Sequence, residues 1–384
     1  MTRIVVFAVV LALLTWWLHR RLVRATGLSR PWSVVVDALL VALWVLAVIG
    51  VGSGEVFDTG WARPPGFAGW VWLGAMLYLV LGLLLVAVGS LAARVVARLR
   101  RAESTEQVDL SRRRTLRVAT SVVVVGAIAA AGYGVAEAAR PKVVRVRVPL
   151  RRLPPEFTGV RVALLSDLHV GPARGVSFTR EIVNVINAEQ PDLVAIAGDL
   201  VDGTVSRVSP DLEPLADLRA PMGIFGVSGN HEFYADDGGR WLDVWDRLGI
   251  ATLRNQRVAL RRGGATIDIA GIHDYSSPPP YEPDLSAALA GRDQSTFVML
   301  LAHEPRQALE ASDLGVDLQL SGHTHGGQMW PLRYLVPLQQ PSVTGLDRIG
   351  NTVLYTTRGV GAWGPPVRVG APPEITILEL IRED

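Results

Sequence analysis

The sequence predicts an all-α membrane-spanning region followed by an α/β domain, with the boundary near Arg140. Two observations carry this division. Before about Val135 the chain consists of long apolar runs separated by arginine clusters, whereas after Pro141 short apolar runs alternate with helical patterns and the acids are scattered. At 384 residues there is room for two or three units of ordinary size, and the expected units are 1–140 and 141–384.

Three apolar stretches, residues 32–51, 70–92 and 118–135, are long enough to cross a hydrocarbon core of about 30 Å as helices. A fourth, residues 4–18, is short for a span, but Trp16 and Trp17 suit the interface and His19, Arg20 and Arg21 suit an anchor. A soluble domain could hardly bury several such helices within 135 residues, so three to four membrane helices are expected.

Arginine placement predicts orientation, because basic loops near helix ends stay cytoplasmic. Residues 19–31 hold Arg20, Arg21, Arg24 and Arg30 with no acid, and residues 93–117 hold eight arginines against Glu103, Glu106 and Asp109. Residues 52–69 carry only Arg63 against Glu55 and Asp58, as an outer loop should. The last helix is therefore expected to deliver the α/β domain to the outer face. Residues 111–117, with Arg112 and Arg113 ahead of an apolar helix, also resemble a twin-arginine export signal, although an ordinary positive-inside cluster explains them equally well. Ala136 and Ala138 offer small residues for processing, but cleavage is not expected.

The same arithmetic argues against nucleic acid as a partner. The two basic stretches sum to +9 in a chain of net charge +2, leaving −7 for the remainder, so the α/β domain is mildly acidic. The absence of cysteine excludes disulfides, thiolate ligands and a cysteine nucleophile.

Within the α/β domain, residues 143–148 alternate valine with basic residues and 160–165 form an apolar run ending at Ser166 and Asp167. Residues 178–189 read as helix, 193–197 as a buried strand ending at Gly198-Asp199, and 211–219 as helix. Residues 223–227 form a strand before Ser228-Gly229-Asn230-His231, and 240–248 a helix. Short strands are expected near 250–253, 257–260 and 266–270. Two more apolar strands, 297–302 and 317–320, stop at His303 and at Ser321-Gly322-His323. This repeated pattern implies a largely parallel sheet with polar residues gathered at one edge. Strands near 352–356 and 374–380 fit a second sheet.

The strand-end residues are Asp167, His169, Asp199, Asn230, His231, His303, His323 and His325, which include five of the seven histidines. Carboxylates, imidazoles and an amide form a ligand set suited to Mn, Fe or Zn. They are too many for one tetrahedral ion, and two divalent ions sharing a carboxylate is the economical arrangement.

Five blocks in order carry a family resemblance: Ser166-Asp167-Leu168-His169, Gly198-Asp199, Gly229-Asn230-His231-Glu232, Ala302-His303-Glu304-Pro305, and Gly322-His323-Thr324-His325-Gly326-Gly327-Gln328. The sequence resembles the calcineurin-like metallophosphoesterases over about residues 160–328. Residues 359–380, with Arg368 and Pro372-Pro373-Glu374-Ile375, resemble the membrane-bound or exported branch. The resemblance implies a four-layer α/β/β/α sandwich. It implies one metal held by Asp167, His169, Asp199 and His325, and another by Asp199, Asn230, His303 and His323, with Asp199 bridging. It further implies hydrolysis of phosphoesters by attack of water in line with the leaving oxygen, with His231 protonating the leaving group or binding a phosphoryl oxygen.

Other residues are read more plainly. Asp192, Asp202 and Glu232 are expected to be solvated or to support the ligands, and His273 to lie at the surface or behind the ligands. Asp37, inside an apolar run, is read as reaching the interface rather than as a functional site. The glycines of residues 359–364 suggest structural turning rather than a phosphate cradle. Residues 329–336, rich in Trp, Leu, Tyr and Val, read first as a core strand or packed loop and second as a lip that dips into the membrane interface.

The expected activity is metal-dependent phosphoester hydrolysis, on a phosphodiester or a lipid-linked or other envelope phosphate, with no obligate protein partner. Lys142 is the one lysine among 38 basic residues, an arginine bias that accompanies GC-rich coding and points to a bacterial cytoplasmic membrane. The alternative is a catalytically silent membrane sensor or scaffold that binds phosphate through a retained metal site. A sensor could lose ligands without penalty, and none has been lost.

Overall fold

The computed structural model describes residues 2–99 and 106–383. Four helices come first: α1 (Thr2–His19), extended by a π-helical turn at Arg20–Arg24, α2 (Arg30–Gly52), α3 (Thr59–Leu99) and α4 (Glu106–Ala138). All four are long and apolar enough to cross a membrane. They outrun their apolar stretches: the 41 residues of α3 span about 60 Å. The outer loop expected over 52–69 shrinks to residues 53–58, because the Asp58 carboxylate accepts the Gly60 N–H at 2.8 Å and caps a helix that then continues through Pro64 and Pro65. Of the second basic stretch, Arg100, Arg101 and Glu103 lie outside the described residues. The arginine pattern at 111–117 lies within α4.

Successive helices run antiparallel around a core that includes Leu11, Leu18, Leu40, Met76 and Leu83. Between α2 and α3 the backbones touch: a Cβ on Gly69 would stand 2.1 Å from the Leu46 carbonyl oxygen. At the far end of the bundle Arg117 donates to the Thr26 carbonyl at 2.6 Å, beside the other arginines of that end. The near end meets the α/β part. There Thr204 N–H donates to Gly54 O at 2.9 Å, Arg63 Nε to Gly171 O at 2.7 Å, and Arg368 N–H to Gly134 O at 2.9 Å.

The α/β part contains β1 (Lys142–Leu150), β2 (Arg161–Leu165), α5 (Val176–Ala188), β3 (Leu193–Ile196), α6 (Val205–Val208), β4 (Ile224–Gly226), α7 (Gly238–Arg247), β5 (Ala251–Thr252) and β6 (Gln256–Arg262). It continues with β7 (Ala265–Gly271), α8 (Leu285–Ala288), β8 (Phe297–Leu301), α9 (Ala308–Asp313), β9 (Leu318–Ser321), β10 (Gly345–Ile349), β11 (Thr352–Thr356) and β12 (Glu374–Arg382). Two six-stranded sheets form, in the orders β1-β12-β2-β3-β4-β5 and β10-β11-β9-β8-β7-β6. The five apolar strands that end in polar residues are thus divided between the sheets, three in the first and two in the second, rather than lying in one.

Alternation along each strand builds the layers. Val162, Leu164, Ala195, Ile269, Met299 and Leu320 meet between the sheets. Ala163, Leu165, Val194 and Ile196 face outward and are covered by Ile182 and Ile186 of α5 and by Trp241 and Trp245 of α7. On the other outer face Ala270, Val298 and Leu300 pack under Leu285 of α8 and Ala311 of α9. The result is an α/β/β/α sandwich.

Two expectations are corrected. Strand β12 belongs to the first sheet, parallel to β1 and antiparallel to β2, because its Leu378 and Leu380 fill the inter-sheet core while Ile375 and Ile377 face α5. The helix expected over 211–219 is a 3-10 segment, Ser209–Asp217, since Pro214 lacks the N–H an α-helix needs there.

Candidate metal centre

Strands β2, β3 and β4 run parallel with Leu165 beside Ile196 and Ile196 beside Gly226, so the loops leaving their C-terminal ends emerge side by side. Strands β8 and β9, parallel with Leu301 beside Leu320, open their loops on the same rim from the facing sheet. All eight strand-end residues meet there. Asp167, His169, Asp199, Asn230, His231, His303 and His325 are buried, and His323 is partly so.

Two ligand clusters form. In one, His325 Nε2 lies 3.2 Å from Asp167 Oδ1 and 3.0 Å from His169 Nε2. In the other, His303 Nε2 lies 3.2 Å from Asp199 Oδ2 and 3.1 Å from Asn230 Oδ1, while His323 Nδ1 stands 3.2 Å from Asn230 Oδ1. Asp199 joins them, with Oδ2 also 3.8 Å from His169 Nε2. Three triads fall within metal-binding reach: Asp167/His169/His325, His169/Asp199/His231 and Asp199/His303/His323. Acceptor oxygens and ring nitrogens converge here at distances that leave their lone pairs mutually repulsive unless cations stand between them, so the donor set fits two divalent ions.

The backbone is bent to make this possible. Asp167, His169, Asp199, His323 and His325 all have positive φ, between 48° and 69°, in the left-handed region that costs a side-chain-bearing residue energy. Glycine supplies the clearance: a Cβ on Gly322 would lie 2.3 Å from Asp167 Oδ2, and one on Gly229 2.2 Å from Asp199 Oδ1.

Electrostatics follow from this crowding. Burial alone raises the Asp199 carboxyl, but His303, His231 and His169 outweigh it and hold the group well below the usual carboxylate range. Asp167 is lowered in the same way, against burial, by His325 and His303. Burial pushes His325 down to about 4, with Asp167 opposing and Arg368 reinforcing the shift, which keeps the ring neutral and able to donate a lone pair. His231 behaves in the opposite sense: burial lowers it, yet Asp199 and Asp202 raise it to about 9.

For Asp202, Glu232 and His273 the structure takes the second of the two expected places, in support of the ligands. Asp202 is not solvated: its Oδ1 accepts from His231 Nδ1 at 2.5 Å and from His169 Nδ1 at 3.1 Å, which directs both Nε2 atoms into the site. Glu232 is fully buried and accepts the N–H groups of Asp199, Leu200 and Gly229 at 3.0, 2.8 and 2.7 Å, tying the β3 and β4 loops together. His273 is buried, the second of its two expected places, and lies 3.3 Å from Ser228 Oγ. Asp192 accepts the Arg161 N–H at 2.8 Å and belongs to the start of β2. Asp37 meets His19 Nδ1 at 2.6 Å between α1 and α2 instead of standing alone at the interface.

Two features lie beyond the strand-end pattern. Arg368 is completely buried and donates to the carbonyls of His325, Gly361 and Arg358 at 2.7, 2.7 and 2.8 Å, so it clamps the β9 loop to the turn at 359–364. In that turn the amides of Val360 and Gly361 are spent on the carbonyls of Ser166 and Asp167, the structural role expected of its glycines. Residues 329–338 are not core: Trp330, Tyr334, Leu335 and Leu338 are exposed, while Met329, Leu332 and Val336 line a cavity of about 350 Å³ on the site.

Comparison with known proteins agrees with this geometry. The family model for calcineurin-like phosphoesterases matches residues 160–327. The transmembrane protein with metallophosphoesterase domain of Danio rerio is 38% identical over 259 residues, 65% of this chain and 59% of that protein. The Bos taurus protein of the same description is 35% identical over 71% of this chain and 64% of its own length, so the chain spans about three-fifths of these relatives. An uncharacterized metallophosphoesterase of Bacillus subtilis (strain 168) is 32% identical over 287 residues, 71% of this chain and 98% of that protein. With a nearly complete relative aligned and its shared-carboxylate site intact on a two-sheet sandwich, this chain belongs to the calcineurin-like metallophosphoesterases.

Proposed function

We propose that the protein hydrolyses phosphoesters with a dinuclear metal site on the outer face of a cytoplasmic membrane. The observation that carries this reading is the pair of ligand clusters joined through Asp199. Asp167, His169, Asp199 and His325 would hold one ion, and Asp199, Asn230, His303 and His323 the other. Two such ions, whether Mn, Fe or Zn, supply Lewis acidity toward a phosphoryl group and an activated water.

The rest falls to the chain's own residues. His231, hydrogen-bonded through Nδ1 to Asp202 and raised against burial by Asp199 and Asp202, is placed to give a proton to the leaving oxygen of an ester. Asp202 fixes the ring by accepting from Nδ1, so that Nε2 carries the mobile proton. Tyr234 accepts from Asn230 Nδ2 at 2.6 Å and thereby aims the amide oxygen at the clusters. Retention of this His231–Asp202 pair is what favours turnover over a silent phosphate sensor.

The orientation is supported by the antiparallel bundle: the arginine-rich helix ends lie opposite the α/β part, so positive-inside insertion carries the latter outward. The test is a panel of monoesters, diesters and lipid phosphates offered to the full chain with Mn, Fe or Zn in turn. Metal-dependent release of phosphate or alcohol, lost in Asp199→Asn, is the expected result; no turnover with any metal would overturn the hydrolase reading.

A further inference from the structure

Beside the metal site a second cavity of about 280 Å³, near the small end of ligand pockets at about 300 Å³, lies between the sandwich and the membrane helices. His231, Tyr234 and Trp363 wall both this cavity and the one beside residues 329–338. On the bundle side its lining is Ile4 and Phe7 of α1, Val51 at the end of α2, and Trp70 of α3. Soluble phosphoesters have no use for such a wall.

Polar residues also line the cavity, among them Arg3, Ser53, Glu55 and Asp202. Ser53 is 1% exposed, and its hydroxyl has no hydrogen-bond partner among the described residues; the Trp70 indole N–H is also buried and unpartnered. Both line the cavity. Arg3 also opens onto the cavity, donates to the Tyr234 carbonyl, and lies with its guanidinium 5.2 Å from the Tyr234 ring.

We infer that the cavity between α1, α2, α3 and the metal site holds an amphiphilic phosphoester, its phosphate at the metals and its apolar chain along Ile4, Phe7 and Val51. This rests on the hydrolase reading for the fate of the phosphate, but not for the place of the chain. The membrane helices then form part of the substrate site, and the exposed segment 329–338 does not receive the chain.

The test uses the full chain in detergent with metal bound. Hydrolysis of butyl and hexadecyl p-nitrophenyl phosphodiesters is compared in wild type, Ile4→Trp, Val51→Trp and Trp330→Ala/Leu335→Ser, each checked for metal content. In parallel a metal-competent hexadecyl phosphonate with a diazirine on its chain is photolysed and the labelled peptides are identified. The expected result is at least a tenfold fall in the hexadecyl-to-butyl ratio for either cavity-filling variant, with label on α1 to α3. An unchanged ratio in both of those variants, a selective fall only in Trp330→Ala/Leu335→Ser, or label confined to residues 329–338 would overturn it. Label on the helices with neither ester hydrolysed would defeat the hydrolase reading while leaving the binding inference standing.

Discussion

Asp202 is the most informative residue to perturb, because one of its oxygens serves two rings with different duties. Oδ1 accepts from His231 Nδ1 at 2.5 Å and from His169 Nδ1 at 3.1 Å. Asp202→Asn keeps an acceptor oxygen in nearly the same place and removes the charge; Asp202→Ala removes both. A hydrogen bond to a charged group contributes about 1.5–3 kcal/mol and a neutral one about 0.5–1.5, so the asparagine should weaken the hold on each ring by about 1–1.5 kcal/mol, or about tenfold. Alanine also strands two buried Nδ1–H groups, and kcat/KM should fall by about 10²–10³.

The proton on His231 gives a second measure. Against the lowering effect of burial, Asp199 and Asp202 raise His231, and with Asp199 engaged by the metals the Asp202 carboxylate is the anion left to hold the proton, so removing it must lower the pKa of the ring. The acid form is then lost at lower pH, and the alkaline limb of kcat/KM should move down by about one unit, the equivalent of about 1.4 kcal/mol. The assay is the pH–rate profile of bis-p-nitrophenyl phosphate hydrolysis by wild type and Asp202→Asn, both loaded with the same metal. A wild-type rate in Asp202→Ala, or an alkaline limb that stays in place in Asp202→Asn, would refute the assignment of His231 as the acid held by Asp202.

Three further outcomes are expected. Asp199→Asn should lose metal and turnover together, whereas His231→Asn should keep two metals per chain by elemental analysis yet fall about 10²-fold or more in turnover. A reporter fused after Asp384 should behave as extracytoplasmic; cytoplasmic activity there, with the upstream loops mapped, would reverse the topology. His273 is lowered to about 4 by burial, with Arg254 contributing, so the folded chain refuses a proton that the unfolded chain accepts below about pH 6.5. The associated stability is therefore complete above about pH 6.5 and drains away as pH falls toward 4. Discounted for partial screening, it is about 1 kcal/mol at about pH 5, and His273→Asn should flatten the dependence of the melting temperature on pH over that window.

How much of this was legible in advance depends on how local each feature is. The apolar runs, the basic helix ends and the strand-end acids and histidines are written in short stretches of sequence, where hydrophobic period and motif spacing suffice. Helix α3 starts ahead of its apolar run because a single aspartate cap and a tolerated proline pair let it begin at Thr59. Glu232 and Asp202 looked like ordinary acids beside motifs. Their neighbours along the chain do not reveal that one ties two strand loops and the other serves two rings, since those partners come from separate loops.

Residue type and spacing were enough for the division into apolar helices and an α/β part, for the ligand types and for their order, because burial and metal preference act through those local properties. Packing alone places β12 between β1 and β2 in the first sheet, sets Arg368 as a clamp on the β9 loop, and makes α1, α2 and α3 wall a cavity lined also by His231. The physical reason is common to all three: each depends on groups far apart in the chain, such as Arg3 and Tyr234, whose approach is set by packing and not by any local pattern.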